Sequence, residues 1–378
     1  MLTKQIKIDA KSTDVELLDS EFICENLEEE FLKMSGKDIL LTGGAGFLGF
    51  YIIKSILLWN ELNPDKKNIN LRIFDNFSRG VPIWIKDLPE SKSLSIQEHD
   101  ITKELPENIG NIDFIIHAAS IASPIYYRLN PIQTMDANVG GLRKLLDYCL
   151  NQKNLGKPVS GFLFFSTSEI YGDPDKLNIP TSEEYRGNVS CTGPRACYDE
   201  SKRFGETLCV NFAKQYNLPV SIARPFNNYG PGLKITDGRV LPDFVRNVLA
   251  NEDIELLSDG SPTRTFCYVA DAVIGYFKIL INGAPGESYN IGNEEPEISM
   301  LDLANNIANL SNEVLGYDGK VTKAISQDKN YLIDNPNRRC PIIKKAHDEL
   351  GFLPKVSIEE GLKRSLIWYK TNNAGEDL

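Results

Sequence analysis

The stretch Thr42-Gly43-Gly44-Ala45-Gly46-Phe47-Leu48-Gly49 constrains the fold of this chain more than any other. It follows the apolar run Ile39-Leu40-Leu41 and leads into a helix-like segment, Phe50 to Trp59. Strand, tight turn and helix follow one another, with glycines at 43, 46 and 49. Glycine reaches the backbone angles such a turn demands and lets main chain come close to a ligand. The helix start offers N–H groups without helical partners and the positive end of a dipole. A pyrophosphate fits there, so the pattern reads as a dinucleotide-binding turn. Downstream, Leu71-Arg72-Ile73-Phe74 ends in Asp75, a second strand with an acid at its tip. Such an acid bonds the adenosine ribose hydroxyls and repels a 2′-phosphate, which favours NAD over NADP. An arginine such as Arg79 is the feature that would hold a 2′-phosphate instead. The spacing from turn to acid exceeds the usual ~20 residues. The polar insert Asn60 to Asn70 accounts for the excess.

From residue 37 to about 230, apolar strands and helical patterns alternate. Candidate strands are 38–42, 71–75, 94–98, 113–117, 161–166 and 219–224; candidate helices include 47–59, 131–151 and 198–216. Alternation of this kind predicts a parallel, doubly wound sheet, whose ligands bind beyond the carboxyl ends of its strands. The expected organisation is a Rossmann domain over 37–230 and a smaller, mainly substrate-binding lobe over 231–378. Segments near 264–293 are expected to return to the first domain. Residues 1–36 form an extension. Thr13-x-x-Glu16 suggests a capping box, and Leu18, Phe22, Leu27, Phe31 and Met34 recur at near-helical intervals, which predicts an amphipathic helix.

Composition narrows the functional classes. The chain has 378 residues, 42% hydrophobic and 25% charged, enough for a sizeable core. A net charge of -11 speaks against nucleic acid as a partner. No apolar run approaches the ~18 residues of a membrane span, and residues 1–35 lack the pattern of a signal peptide. Seven scattered cysteines without a C-x-x-C pair suit a reduced, cytoplasmic protein. Only three histidines occur, with no metal-ligand spacing, so no metal is expected.

The residues that can move protons follow a strand end. Strand 161–166 runs into Ser166-Thr167-Ser168-Glu169-Ile170-Tyr171-Gly172, and further on stands Tyr198-Asp199-Glu200-Ser201-Lys202. On a helix, residues four apart share a face, which sets Lys202 beside Tyr198. A nearby ammonium favours the phenolate, and a tyrosine so tuned can take a hydroxyl proton while hydride leaves the same carbon.

These stretches carry a resemblance. With them go His117-Ala118-Ala119-Ser120, Ala122-Ser123-Pro124, Tyr127, Asn130-Pro131, Gly193 to Glu200, Ala223 to Pro231, Asp237 to Val240, Thr263 to Val269 and Pro336 to Arg339. The chain resembles the extended short-chain dehydrogenase/reductase family, the NAD-dependent nucleotide-sugar epimerases and dehydratases. Over about 37–370 the branch that decarboxylates UDP-glucuronate to UDP-xylose is the most similar. The resemblance implies NAD as a recycled oxidant, a nucleotide-sugar substrate (a UDP-sugar first of all) and a homodimer. It implies that Thr167 and Tyr198 hold the sugar 4-hydroxyl with Tyr198 as base. Lys202 binds the nicotinamide ribose, and Ser168 and Glu169 serve the later steps. Gly43, Gly46, Phe47, Leu48, Gly49, Asp75, Asn76, Asp100, Ile101, Ala118 and Ala119 line the cofactor. Tyr127, Asn227, Arg239, Arg264 and Arg338 meet the substrate. In that branch the dimer forms through helices corresponding to 131–151 and 198–216, where Leu142, Leu145, Leu146, Phe204, Leu208 and Phe212 supply apolar faces that either pair or face the sheet. Gly232 and Ile342 depart from the branch, which tends to carry arginine and aspartate there.

Each assignment has a plainer counterpart. Glu169 also suits a solvated acid or helix cap, Arg264 a pair with Asp271, Arg239 a surface loop. His117 and Cys197 read as packing. Three chemistries share oxidation at C4. A 4,6-dehydratase commonly has an aspartate where Ser168 stands, and a 4-epimerase leaves Glu169 unexplained. Decarboxylation uses it, because a 4-keto sugar turns the C6 carboxylate into a β-keto acid. A 4-dehydrogenase acting on another hexose or heptose is a further alternative. A non-catalytic NAD-binding regulator would not be expected to keep Thr167, Tyr198 and Lys202 together.

Overall fold

A parallel sheet covered on both faces needs strands with no polar side, and the middle of this chain supplies them. In the computed structural model, which describes residues 4–324, 333 and 336–372, seven parallel strands form one sheet. Six are β1 (Asp38–Thr42), β2 (Asn70–Asp75), β3 (Leu94–Glu98), β4 (Phe114–His117), β5 (Gly161–Phe165) and β6 (Val220–Pro225). The seventh, Ser288–Ile291, closes the edge beside β6. The order is Ser288–Ile291, β6, β5, β4, β1, β2, β3. Winding therefore reverses between β1 and β4, where Ile39 lies opposite both Leu71 and Phe114. The fold is the doubly wound Rossmann type that the alternation predicts. Residues 1–3 and 373–378 of the expected extension and lobe, and most of 325–335, lie outside the described residues.

Successive side chains of a strand point to opposite faces. Ile39, Leu41, Leu163 and Phe165 enter one core, and Leu40, Phe162 and Phe164 the other. The first core is covered by α1 (Ser12–Asn26), α2 (Glu28–Met34), α3 (Phe47–Leu62) and the helices Val269–Asn282 and Ile358–Asn372. The second is covered by Leu142–Asn154 and Ala196–Tyr216. Leu142, Leu145, Leu146 and Phe212 are buried there against the sheet; Phe204 is half exposed.

The extension folds as two helices that break at Leu27. Its first cap differs from the expected Thr13/Glu16 box. The helix starts at Ser12, and the Asp14 carboxylate accepts the Lys11 N–H at 2.8 Å. Glu16 instead pairs with Lys54 and accepts from Trp368. The buried face of α1 is Val15, Asp19 and Ile23, with a charge at its centre. Asp19 takes hydrogen bonds from Tyr51 of α3, from Tyr268, and from Arg364 of the C-terminal helix.

Beyond β6 short strands from distant segments pair. Ile254–Leu256 runs beside Val321–Lys323, and Thr263–Arg264 lies between Ile298–Ser299 and Arg338–Arg339. Among the described residues no helix is long and apolar enough to cross a membrane, and no cluster of three acids, histidines or cysteines is placed to hold a metal.

Candidate active site

The turn after β1 is built for a close neighbour. Gly43 has φ +71°, and a Cβ there would stand 2.6 Å from Ala119 Cα, so turn and β4 end touch backbone to backbone. A Cβ on Gly49 would meet the Gly44 carbonyl oxygen at 2.0 Å, which seats α3 directly on the turn. Gly46 caps α3, and Phe47 and Leu48 begin it. Asp75 at the tip of β2 accepts the Ala45 N–H at 2.9 Å and the Phe77 N–H at 2.8 Å, tying turn to strand end. Asn76 turns the chain by accepting the Ser78 N–H, and Asp100 does the same for Thr102 after β3. Ile101 is buried against Gly141. Arg79 stacks on Tyr126 at 3.9 Å and pairs with Asp237, so its charge is drawn away from the tip of β2.

Buried polar atoms left without a partner ask for a ligand. Ser120 Oγ, Ser166 Oγ and the Tyr127 hydroxyl, beyond the ends of β4 and β5, are such atoms. With the glycine cradle and the start of α3, they fit a dinucleotide laid across the switch point between β1 and β4.

Thr167 follows β5, caps the short turn Ser168–Tyr171 by accepting the Glu169 N–H, and stands near enough to Tyr198 to favour its phenolate. Ser168 is buried in the same turn. Tyr198 and Lys202 stand one turn apart on the Ala196–Tyr216 helix. Lys202 donates to the Phe165 carbonyl oxygen at 2.7 Å and lies 5.9 Å from the Tyr198 ring centre. Burial dominates both groups. It pushes the Tyr198 phenol up, against the pull of Thr167 and Arg239, and lowers the Lys202 ammonium to about 7. The expected lowering of Tyr198 by Lys202 does not emerge; Thr167 and Arg239 exert the downward pull. Residues 136–141 widen into a π-turn inside the expected 131–151 helix. There Asn138 donates to Ser201 Oγ at 2.9 Å, and Ser201 donates to the Tyr198 carbonyl oxygen. His117 is buried, bonded to Thr42 Oγ1, and held neutral by burial and Lys202, which lower it to about 3. Cys197 packs against the Tyr127 carbonyl, and burial raises its thiol.

Tyr127 lies flat on Tyr198, with ring centres 5.1 Å apart. Beside this pair is a cluster of arginines. Glu169 is gripped by both terminal nitrogens of Arg339, at 2.5 and 2.6 Å, and by Arg195. Burial works against its ionisation, but the two guanidinium groups outweigh burial and hold it down at about 2. Arg264 is buried close by, where desolvation, Arg339 and Arg195 lower its pKa to about 9. Its guanidinium donates to the carbonyl oxygens of Thr263, Pro336 and Asn337, which organises the strand bearing Arg339. Asp271 is engaged elsewhere, by the Lys355 and Val356 N–H groups.

The structure thus gathers Thr167, Ser168, Glu169, Tyr198, Lys202, Tyr127 and Arg264 around one strand end. Asn227, at φ +40°, follows β6 and donates to the Thr265 carbonyl. Arg239 leans over Phe47 and pairs with Asp237. Arg338 stands apart, paired with Glu297 at 2.6 Å. Its neighbour Arg339 enters the cluster instead, because the two alternate along a strand whose partners are Thr263 and Arg264. Arg339 and Arg195 are the residues that sequence reasoning left without a role. Gly232 has φ +90°, and a Cβ there would stand 2.7 Å from Phe50 Cβ. That backbone explains why no arginine occupies the position.

Comparison with known proteins agrees with this architecture. Residues 39–292 match the model of the NAD dependent epimerase/dehydratase family. UDP-glucuronic acid decarboxylase 6 of Arabidopsis thaliana is 38% identical over 329 residues, 87% of each chain. UDP-glucuronic acid decarboxylase 1 of Xenopus tropicalis is 36% identical over 361 residues, 92% of this chain and 77% of that one. A dTDP-glucose 4,6-dehydratase of Streptomyces venezuelae, solved with NAD bound, superposes with a TM-score of 0.75 at 25% identity, covering 89% of this chain and 97% of its own.

Proposed function

Because the chain belongs to the NAD-dependent epimerase/dehydratase family, we propose that it decarboxylates UDP-glucuronate to UDP-xylose by way of a 4-keto sugar. The observation that carries this reading is the set Arg195, Arg264 and Arg339 around one carboxylate, a ring's width from Tyr198. Three guanidinium groups against Glu169 and Asp199, which pairs with Arg195 at 3.7 Å, leave one net positive charge beside the candidate base, which suits a sugar that is itself an acid. A neutral hexose gives such a cluster nothing to bind.

The glycine turn and the start of α3 would hold NAD, which would supply a reversible hydride acceptor for C4. Tyr198 takes the proton of the 4-hydroxyl as its phenolate, a form that burial disfavours and that Thr167, Arg239 and the positive nicotinamide of a bound cofactor would favour, and Thr167 beside it would orient that hydroxyl. Lys202, fixed by the Phe165 carbonyl, would hold the nicotinamide ribose. Once C4 is a ketone, the C5–C6 bond breaks. CO2 leaves, and the electron pair passes through C5 and C4 onto the ketone oxygen. C5 takes up one proton from solvent, delivered by water that Glu169 orders or by Glu169 itself once it is released from the guanidinium groups and protonated, and Tyr198 returns its proton to the 4-oxygen. UDP binds on the C-terminal side, where Arg239 lies over Phe47 at the start of α3 and Asn227 follows β6. The 37–230 and 231–378 division follows this split between cofactor and substrate.

Leu129, Ile132, Met135 and Phe204 are exposed apolar side chains on helices that pack together. They supply a homodimer face. Seven cysteines with no disulfide among them support a location in the reducing cytoplasm.

The direct test incubates purified protein with UDP-glucuronate and catalytic NAD and weighs the nucleotide sugar. Loss of the mass of CO2 is the expected result. An unchanged mass, or loss of water, rejects the decarboxylase reading.

A further inference from the structure

Glu169 spends both carboxylate oxygens on guanidinium groups. Oε1 and Oε2 accept the two terminal nitrogens of Arg339, and Oε2 also faces Arg195. Side-by-side pairing is how an arginine recognises any carboxylate. The side chains of Glu169, Arg195 and Arg339 are only 18%, 8% and 10% exposed. Arg264 is committed to main-chain oxygens. Tyr127 connects the cluster to the candidate base, with its ring on Tyr198 and Arg195 5.9 Å from its centre. A second carboxylate arriving at Tyr198 meets guanidinium forks that are already filled.

We propose that Glu169 is an internal competitor for the carboxylate seat on Arg339 and Arg195, and that the sugar carboxylate binds by displacing it. The inference rests on the decarboxylase reading and deepens it. Arg195 keeps Asp199 at 3.7 Å when Glu169 moves, and exchange of one carboxylate for another never leaves buried Arg339 without a counter-ion, a state that is strongly unfavourable. The displaced Glu169 escapes the two cations that hold it ionised, and can then carry a proton beside the ring. A sugar with a neutral C6 hydroxymethyl group does not compete, so Glu169 stays clamped. Glu169 is thereby a specificity-determining residue as well as a proton carrier.

The test is calorimetric, on NAD-loaded enzyme carrying Tyr198→Phe to stop turnover. A tethered competitor acts at an effective concentration on the order of millimolar. Adding Glu169→Gln is therefore expected to tighten UDP-glucuronate roughly tenfold and to leave UDP-glucose within about twofold. With Tyr198 intact, Glu169→Gln lowers both KM for UDP-glucuronate and kcat. A fixed structural ion pair predicts the opposite, weaker binding of both sugars, and that result overturns the proposal. Unchanged UDP-glucuronate affinity overturns it too while leaving the decarboxylase reading standing. Failure of UDP-glucuronate to bind the Tyr198→Phe enzyme overturns both. Should the glutamine variant not fold, proton uptake decides. Binding of UDP-glucuronate to the Tyr198→Phe enzyme near pH 6 takes up protons, read from two buffers of different ionisation enthalpy. UDP-glucose is the control for the other groups around Glu169: Arg195, Arg264, Arg339, Asp199, Asp173, Tyr127 and residue 198. Equal uptake with both sugars rejects the exchange.

Discussion

Tyr198 and Lys202 lie one helical turn apart, and burial acts on them in opposite senses. The phenol is raised and the ammonium lowered to about 7, because removal from water disfavours whichever form is charged. Tyr198→Phe keeps the ring that stacks on Tyr127 and deletes only the proton acceptor. It is expected to lower kcat by roughly 10²–10⁴-fold with UDP-glucuronate binding retained; full activity in the phenylalanine variant would remove Tyr198 from the mechanism. Glu169 gives a pH prediction. Its pKa falls from 4.5 to about 2 on folding, so between those values the unfolded chain binds more protons than the folded one. The ion pair's contribution is full above pH 4.5 and disappears as pH falls through 2. The stability difference between wild type and Glu169→Gln, from denaturant melts, should shrink over that window; a gap that grows on acidification contradicts the assignment. At this scale the sequence was legible where spacing carries the chemistry, as at Tyr198 and Lys202. Arg338 and Arg339 show the limit. Neighbouring arginines on a two-residue strand face opposite ways, and no periodicity that short reveals which one faces the site.

At the scale of elements, α1 is the segment whose purpose composition hid. Pattern reading sought an apolar stripe, and Leu27, Phe31 and Met34 are indeed buried. Within α1, however, the buried face centres on Asp19, which breaks the stripe. Asp19 is fully enclosed and joins three elements: Tyr51 on α3, Tyr268 beyond the strand bearing Arg264, and Arg364 on the C-terminal helix. Removing Asp19 leaves buried Arg364 with Glu360 as its remaining carboxylate and deprives the Tyr51 and Tyr268 hydroxyls of their acceptor. Asp19→Ala is expected to cost about 3–5 kcal/mol of stability by urea unfolding. Asp19→Asn should cost less, because the amide oxygen still accepts from Arg364. A loss under about 1 kcal/mol in the alanine variant would show the network to be dispensable. The main strands and α3 were readable because continuous apolar runs and glycine punctuation mark parallel-sheet units. The π-turn at 136–141 was not, since one extra residue per turn leaves the hydrophobic pattern almost unchanged.

The whole molecule follows from one topological fact: every strand of the sheet runs the same way, so all the loops that carry chemistry emerge at one edge. That much was visible in the alternation of elements. A smaller C-terminal lobe was expected too, but its internal pairing was not legible, because its strands are two or three residues long and pair across gaps in sequence, 254–256 with 321–323 and 263–264 with 338–339. Quaternary structure is the remaining level, and burial sorts its candidate residues. Leu142, Leu145, Leu146 and Phe212 are consumed by the sheet and are unavailable to a partner. Phe204, 50% exposed, and Ile132, 59% exposed, project from helices that also bear Tyr198 and border Asn138. Pairing two copies through this face would brace the catalytic helix from its outer side without touching the strand ends. A charge at Phe204 should leave the monomer's fold intact, since that side chain is half in water already, and should be intolerable across a two-fold apolar contact. Phe204→Asp is therefore expected to sediment as a 42.3 kDa species, where the wild type sediments at twice that mass, with unchanged circular dichroism. Its activity should fall on dilution before that of the wild type. A wild type that is monomeric at micromolar concentration, or a Phe204→Asp variant that still pairs, would place the interface on another face.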